Sequence, residues 1–236
     1  MNKIKKLFNA TNIILASCVI ASTVFAILYS SLLTWIIWVS GITGILSACY
    51  GSKGKWICFV FDIISYGTYI YICLMERYYG ELILAGIVII IYTISLFEWR
   101  RNYDKDHVIV NALSMRELLL TFGIGIVATA GYAVALYFMK SELPILNAIP
   151  TAAFLLGTYF SFRRSPLQFY MYVLYETLFI TLWIIATVGG DRGGMIYVVE
   201  AVGELIFCTI GIFKWNKKLK TQQEQVEVNN ENNQDS

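Results

Sequence analysis

The sequence predicts an all-α polytopic membrane protein with eight transmembrane helices. Three observations carry this. Of 236 residues, 58% are hydrophobic and only 14% are charged. Apolar runs of about a membrane helix's length recur along nearly the whole chain. Polar or helix-disfavouring breaks separate them. A soluble domain on a single anchor is excluded, and the net charge of +2 gives no hint of nucleic-acid binding.

The apolar segments are roughly 8–29, 32–50, 56–75, 82–99, 118–138, 144–162, 168–188 and 195–215. Each is about long enough to span a bilayer. The first follows Lys3, Lys5 and Lys6. No small-x-small site followed by a soluble domain appears, so it reads as a retained helix rather than a signal peptide. The polar residues at 216–236 predict a disordered cytoplasmic tail.

Basic residues set the orientation. With the N-terminus in the cytoplasm, the inside segments hold fifteen Lys and Arg. The outside loops hold three, Arg77, Lys140 and Arg192. The bias favours the same orientation at every loop, which predicts an inner (plasma) membrane protein with both termini inside. Apart from Glu98 and Lys214 at span ends, no Lys or Arg falls within a span, yet four acids do: Asp62, Glu176, Glu200 and Glu204. A carboxylate at that depth is costly unless it is protonated, paired or facing a polar cavity. Glu176 lies about eight residues, roughly 12 Å, into its helix.

Faint self-similarity divides the chain. An offset of 114 puts Asp62 on Glu176, Tyr69 on Trp183 and Ile70 on Ile184. The fourth and eighth spans both end in an aromatic-x-Trp pattern, Phe97-Glu98-Trp99 and Phe213-Lys214-Trp215. The predicted organisation is an N-terminal helix (1–31), a first three-helix repeat (32–99), a cytoplasmic loop (100–117), a linker helix (118–138), a second three-helix repeat (144–215) and the tail. Three helices is an odd number, so the linker is needed to make the repeats parallel. The substrate site is then expected near the midplane, where the repeats face each other.

Helical spacing gives that site two faces. Tyr172, Glu176, Phe179 and Trp183 share one, and Asp62, Ser65, Tyr66 and Tyr69 share another. Aromatic faces suit a flat heteroaromatic ring, and carboxylates suit hydroxyls or a ring cation. The alternative is helix–helix packing around protonated acids. Glu200 and Glu204 share a face of the last helix and are candidates for proton or cation coupling. Trp35, Trp38, Trp99 and Trp215 sit near span ends and read as interfacial anchors. The five cysteines lie inside apolar runs without paired spacing and read as small hydrophobes. With a single histidine, His107, and no HExxH or nucleophile motif, neither a metal site nor an enzyme is expected.

The second half resembles the PnuC family of vitamin and nucleoside transporters. The likeness rests on Leu143-Pro144-Ile145-Leu146-Asn147-Ala148-Ile149-Pro150-Thr151, a span ending in Arg163-Arg164, an aromatic helix, and a span ending in Trp215. In the first half, Gly41-Ile42-Thr43-Gly44, the Lys53-Gly54-Lys55 loop, Tyr79-Gly80-Glu81 and Trp99 follow in family-like order. The resemblance covers roughly residues 35–218. It implies a SWEET-like three-plus-one-plus-three fold and facilitated diffusion of nicotinamide riboside, or in relatives of thiamine, riboflavin or deoxynucleosides. It also implies trapping by an intracellular kinase, self-association as a trimer, and no cofactor. The first span is then an addition to a seven-helix core. The family's Trp, Trp and Asn in the seventh span correspond here to Phe169, Tyr172 and Glu176. Its Pro-Met-Gln stretch falls at Ile90-Ile91-Tyr92, and Asn147 stands where an Asp is frequent. The resemblance thus adds Tyr92 and Asn147 to the candidate substrate contacts.

Overall fold

In the computed structural model the described residues are 2–76, 79–138, 144–189 and 194–234. They form eight helices: α1 (Asn2–Leu28), α2 (Leu32–Lys53), α3 (Cys58–Glu76), α4 (Tyr79–Arg101), α5 (Met115–Phe138), α6 (Pro144–Phe162), α7 (Leu167–Val188) and α8 (Gly194–Gln234). Seven of the eight are long and apolar enough to cross a membrane. The other, α6, packs against α4, α5 and α7. Between α4 and α5 the chain makes a two-stranded antiparallel hairpin, β1 (Tyr103–Asp104) and β2 (His107–Val108). Arg77, Lys140 and Arg192, the basic residues of the expected outside loops, lie outside the described residues.

The tail departs from expectation, because α8 runs unbroken to Gln234. Lys, Gln and Glu are good helix formers, and no Gly or Pro interrupts 216–234. A helix already nucleated in the bundle therefore propagates into that stretch. The Gln222 side chain also ties it back, accepting from the Val110 amide at 3.2 Å.

α3 packs between α2 and α4, and α7 packs between α6 and α8. The two triplets meet through α2 on α8 and α4 on α6, while α1 lies across α2 and α8. At one end of the bundle the α2–α3 and α6–α7 turns are built alike. α2 ends on Gly54 with φ 75°, and the chain after α6 turns through Arg164 with φ 58°. The Gly54 amide donates to the Gly51 carbonyl at 2.8 Å, and the Arg164 amide to the Ser161 carbonyl at 2.9 Å. Lys55 donates to Tyr50, and Ser165 to Phe160. Each pair differs by 110 in number, which corrects the sequence register of 114 by one helical turn. Asp62 thus stands opposite Tyr172, and Glu176 opposite Tyr66.

The same end corrects the reading of two tryptophans. Trp99 and Trp215 are fully buried, with ring centroids 5.2 Å apart. The Trp99 indole N–H donates to the Ser161 carbonyl at 2.8 Å, and that of Trp215 to the Gly51 carbonyl at 3.1 Å. Each triplet's last helix is thereby bonded to the other triplet's first. A buried indole needs an acceptor for its N–H, and these carbonyls supply it. Phe59 packs edge-on to Trp99, and Phe169 edge-on to Trp215.

Candidate functional site

Beyond this aromatic row the triplets enclose a cavity of about 830 Å³. Asp62, Ser65, Tyr66 and Tyr69 of α3 line it, as do Tyr172, Glu176 and Phe179 of α7. Tyr92 and Asn147 enter from α4 and α6, and Glu200 and Glu204 from α8. Thus eleven of the twelve cavity residues expected from the two faces, the last helix and the resemblance do line one space. Trp183 is the exception: its ring stacks on Tyr197 at 4.2 Å, and Tyr197 is the residue that reaches the cavity.

Two glycines admit the acids of α8. A Cβ built on Gly41 overlaps the Glu200 carboxyl, and one on Gly44 overlaps that of Glu204. With only hydrogen on α2 at these points, both carboxyls fit between α2 and α8. Glu200 is then buried and accepts from the Ser22 hydroxyl of α1 at 3.1 Å. Glu176, which is 4% exposed, lines the same space as Glu204. Ser47 of α2 and Asp62 of α3 line the same space. Among the described residues lining the cavity there is no Lys, Arg or His.

Aromatic rings form the remaining walls. Tyr66 stacks on Phe154 with centroids 5.7 Å apart and meets Tyr92 edge-on at 5.6 Å. The Tyr172 ring packs against Phe154 with centroids 6.2 Å apart. Gly157 leaves room for the Tyr172 ring, since a Cβ there would come within 2.7 Å of it. Gln168 also lines the cavity; it is 3% exposed, and its amide nitrogen has no hydrogen-bond partner. The space therefore offers flat π faces, carboxyl acceptors and one free buried donor.

Residues 34–217 match the family described as "Nicotinamide mononucleotide transporter". The chain belongs to this family. Among curated relatives of the family, the nicotinamide riboside transporter PnuC of Neisseria mucosa is 25% identical over 194 residues, 79% of this chain and 74% of that protein. The PnuC of Haemophilus influenzae is 24% identical over 195 residues, 79% of this chain and 81% of its own length. The fold is that of the crystal structure of the vitamin B3 transporter PnuC, with a TM-score of 0.75. That match covers 89% of this chain and 92% of the other at 23% identity. The chain is therefore a multi-span membrane protein of a transporter family.

Sequence reasoning missed the residues that seat the acids. Gly41 and Gly44 were legible only as a family-like motif. Their spacing of three on α2 could have been set against the spacing of four between Glu200 and Glu204 on α8. Ser22, Ser47, Gln168 and Phe154 carried no signal in sequence, because each acts through a partner far away in the chain.

Proposed function

We propose that this chain takes up nicotinamide riboside, or a related nucleoside-like vitamin bearing a ring cation, by facilitated diffusion with alternating access. One observation carries the reading: four acids and a ring of aromatic side chains line a central cavity that has no basic residue among its described lining residues. A pyridinium ring gains from π faces and carboxylates alike. A mononucleotide would bring an anionic phosphate against those acids with no Arg or Lys to receive it, so the riboside is favoured. The chain's relatives named for nicotinamide riboside support the same choice.

In this reading the triplets are parallel repeats that rock against each other, and α5 is the linker. The end holding the two similar turns is cytoplasmic, in line with the basic residues around it, and both termini are inside. Asp62, Tyr172 and Glu176 contact the substrate, with Tyr92 and Phe179 closing around the ring.

A thermal-shift screen of the purified protein against nicotinamide riboside, thiamine, riboflavin and deoxynucleosides tests this. A ligand at a hundred times its Kd should stabilise the fold by about 2.7 kcal/mol. We expect the cations to act and the neutral compounds not to. Stabilisation by riboflavin alone, or Glu176→Gln and Asp62→Asn variants that bind and transport like the parent, would sink the reading.

A further inference from the structure

Among the described residues, two buried side-chain polar atoms lack a hydrogen-bond partner, Arg164 Nε and Gln168 Nε2. Of the two residues, only Gln168 lines the central cavity. It sits at the end closed by the tryptophans, since Phe169, the next residue, packs on Trp215. The backbone acceptors lining that end are already occupied. The Ser161 carbonyl takes the Trp99 indole and the Arg164 amide. The Gly51 carbonyl takes the Trp215 indole and the Gly54 amide. A carbonyl oxygen has two lone pairs, and here both are engaged. The bonds that join the triplets thus leave the Gln168 amide without an acceptor, which is costly for a buried donor.

Gln168 also stands in line with two of the proposed substrate contacts. Gln168, Tyr172 and Glu176 are spaced by four on α7 and share one face. Donor, aromatic ring and carboxyl therefore follow one another at intervals of about 6 Å. A carbonyl on a six-membered ring puts its oxygen roughly 3.5 Å from the ring centre, and a hydrogen bond adds about 3 Å. A heteroaromatic ring lying on Tyr172 therefore brings a carbonyl on its edge within reach of Gln168. Its opposite side faces Glu176, an acceptor suited to sugar hydroxyls. An ionised carboxylate cannot take the place of Gln168, because it has no proton to donate to a carbonyl. The offset of 110 puts Cys58 opposite Gln168, and a thiol is only a weak donor. The strong donor thus belongs to one half alone and gives the cavity a direction.

Resting on the reading of this chain as a carrier of nicotinamide riboside or a relative, we propose that Gln168 is a specificity-determining residue. It donates to a carbonyl on the substrate's ring and orients it, carbonyl towards the Trp99–Trp215 row and sugar towards the acids. A ligand without the carbonyl fills the same space but leaves the amide buried and unpaired, so it is bound more weakly.

Titration calorimetry of the purified protein tests this with two ligands. One is nicotinamide riboside, and the other is the pyridinium riboside with hydrogen in place of the carboxamide. Both carry the ring cation and the sugar. The unmodified protein should bind the first about tenfold more tightly. Gln168→Met keeps an unbranched side chain of similar length and removes the donor. The ratio should then fall to about one, through loss of affinity for nicotinamide riboside. The ligand-free variant should melt no lower than the parent, because an unpaired donor has been replaced by an apolar group. Equal binding of the two ligands by the unmodified protein overturns the assignment and leaves the transport reading intact. So does a parent-like ratio in Gln168→Met, or an equal weakening of both ligands, which would mark a structural role. Binding of neither ligand by the unmodified protein sinks the transport reading, and the role of Gln168 with it.

Discussion

The two triplets share a scaffold and differ in chemistry. At the end with the paired turns they are interchangeable in detail. Gly54 and Arg164 both adopt positive φ, and Trp99 and Trp215 each donate to the other triplet's first helix. Moving along the helices into the cavity, that likeness disappears. Asp62 is matched by Tyr172, and Tyr66 by Glu176. Counting back from the paired tryptophans, Leu84 and Val88 of α4 are matched by Glu200 and Glu204 of α8. The seats have diverged with their occupants. Ser47 lines the cavity together with Asp62, whereas its counterpart Gly157 makes room for the Tyr172 ring. The structural end tolerates little change because each group there completes a hydrogen bond in the other half. The cavity has been freed to concentrate three of its four acids on one side.

The sharpest way to break that contrast is to fill one seat. Gly44→Ala puts a methyl group where the Glu204 carboxyl lies, and Gly157→Ala puts one against the Tyr172 ring. Overpacking of this kind costs about 1–3 kcal/mol when the neighbour cannot yield. We expect Gly44→Ala to weaken binding of the cationic ligand at least about tenfold, measured by calorimetry. Gly157→Ala should disturb the aromatic wall and reduce affinity less. Parent-like affinity in Gly44→Ala would mean that Glu204 does not need its place.

The next test addresses the shared end. Trp99→Phe and Trp215→Phe each remove a buried indole N–H and part of a ring. Ser161 and Gly51 keep a second donor in the Arg164 and Gly54 amides, so neither carbonyl is orphaned. The loss should be about 1–3 kcal/mol in each case, and the two should agree closely. Thermal unfolding in one detergent compares them. A large disparity would break the equivalence of the two halves.

Most of the fold was legible because membrane helices announce themselves by length and apolarity, and the breaks between them are polar. The acids were legible for the same reason, as exceptions inside apolar runs. The register between triplets was not. Matching Asp62 to Glu176 rested on chemical likeness, while the actual correspondence is set by backbone hydrogen bonds at two turns whose residues, Gly54 and Arg164, look nothing alike. The tryptophans misled for a related reason. A Trp near a helix end fits the membrane interface as well as a buried contact, and only the facing carbonyl decides. Trp183 shared a helical face with Glu176, but a face is broad, and Tyr197 took the position nearer the cavity.

The smallest expected effect probes the strap that crosses both turns. The Val108 amide donates to the Gly54 carbonyl at 2.9 Å, and the Asn111 amide to the Arg164 carbonyl at 3.0 Å. His107 precedes the first of these contacts only. Burial, then the nearby Lys218 ammonium, lowers its pKa below the ordinary 6.5, with Asp104 and Asp106 opposing. The folded strap therefore prefers neutral imidazole, and the released strap takes up a proton more readily. This contribution is fully present above about pH 6.5 and is lost as the pH falls below that value towards the folded-state pKa. Other groups titrate over the same range, so the readout is a difference. Melting temperatures at pH 7.5 and 5.5 should fall further apart in the parent than in His107→Asn. Hydrogen exchange should show the Val108 amide loosening with acid while the Asn111 amide holds. Equal loosening at both amides would mean that the strap responds as one unit, and the two turns would then be coupled through it.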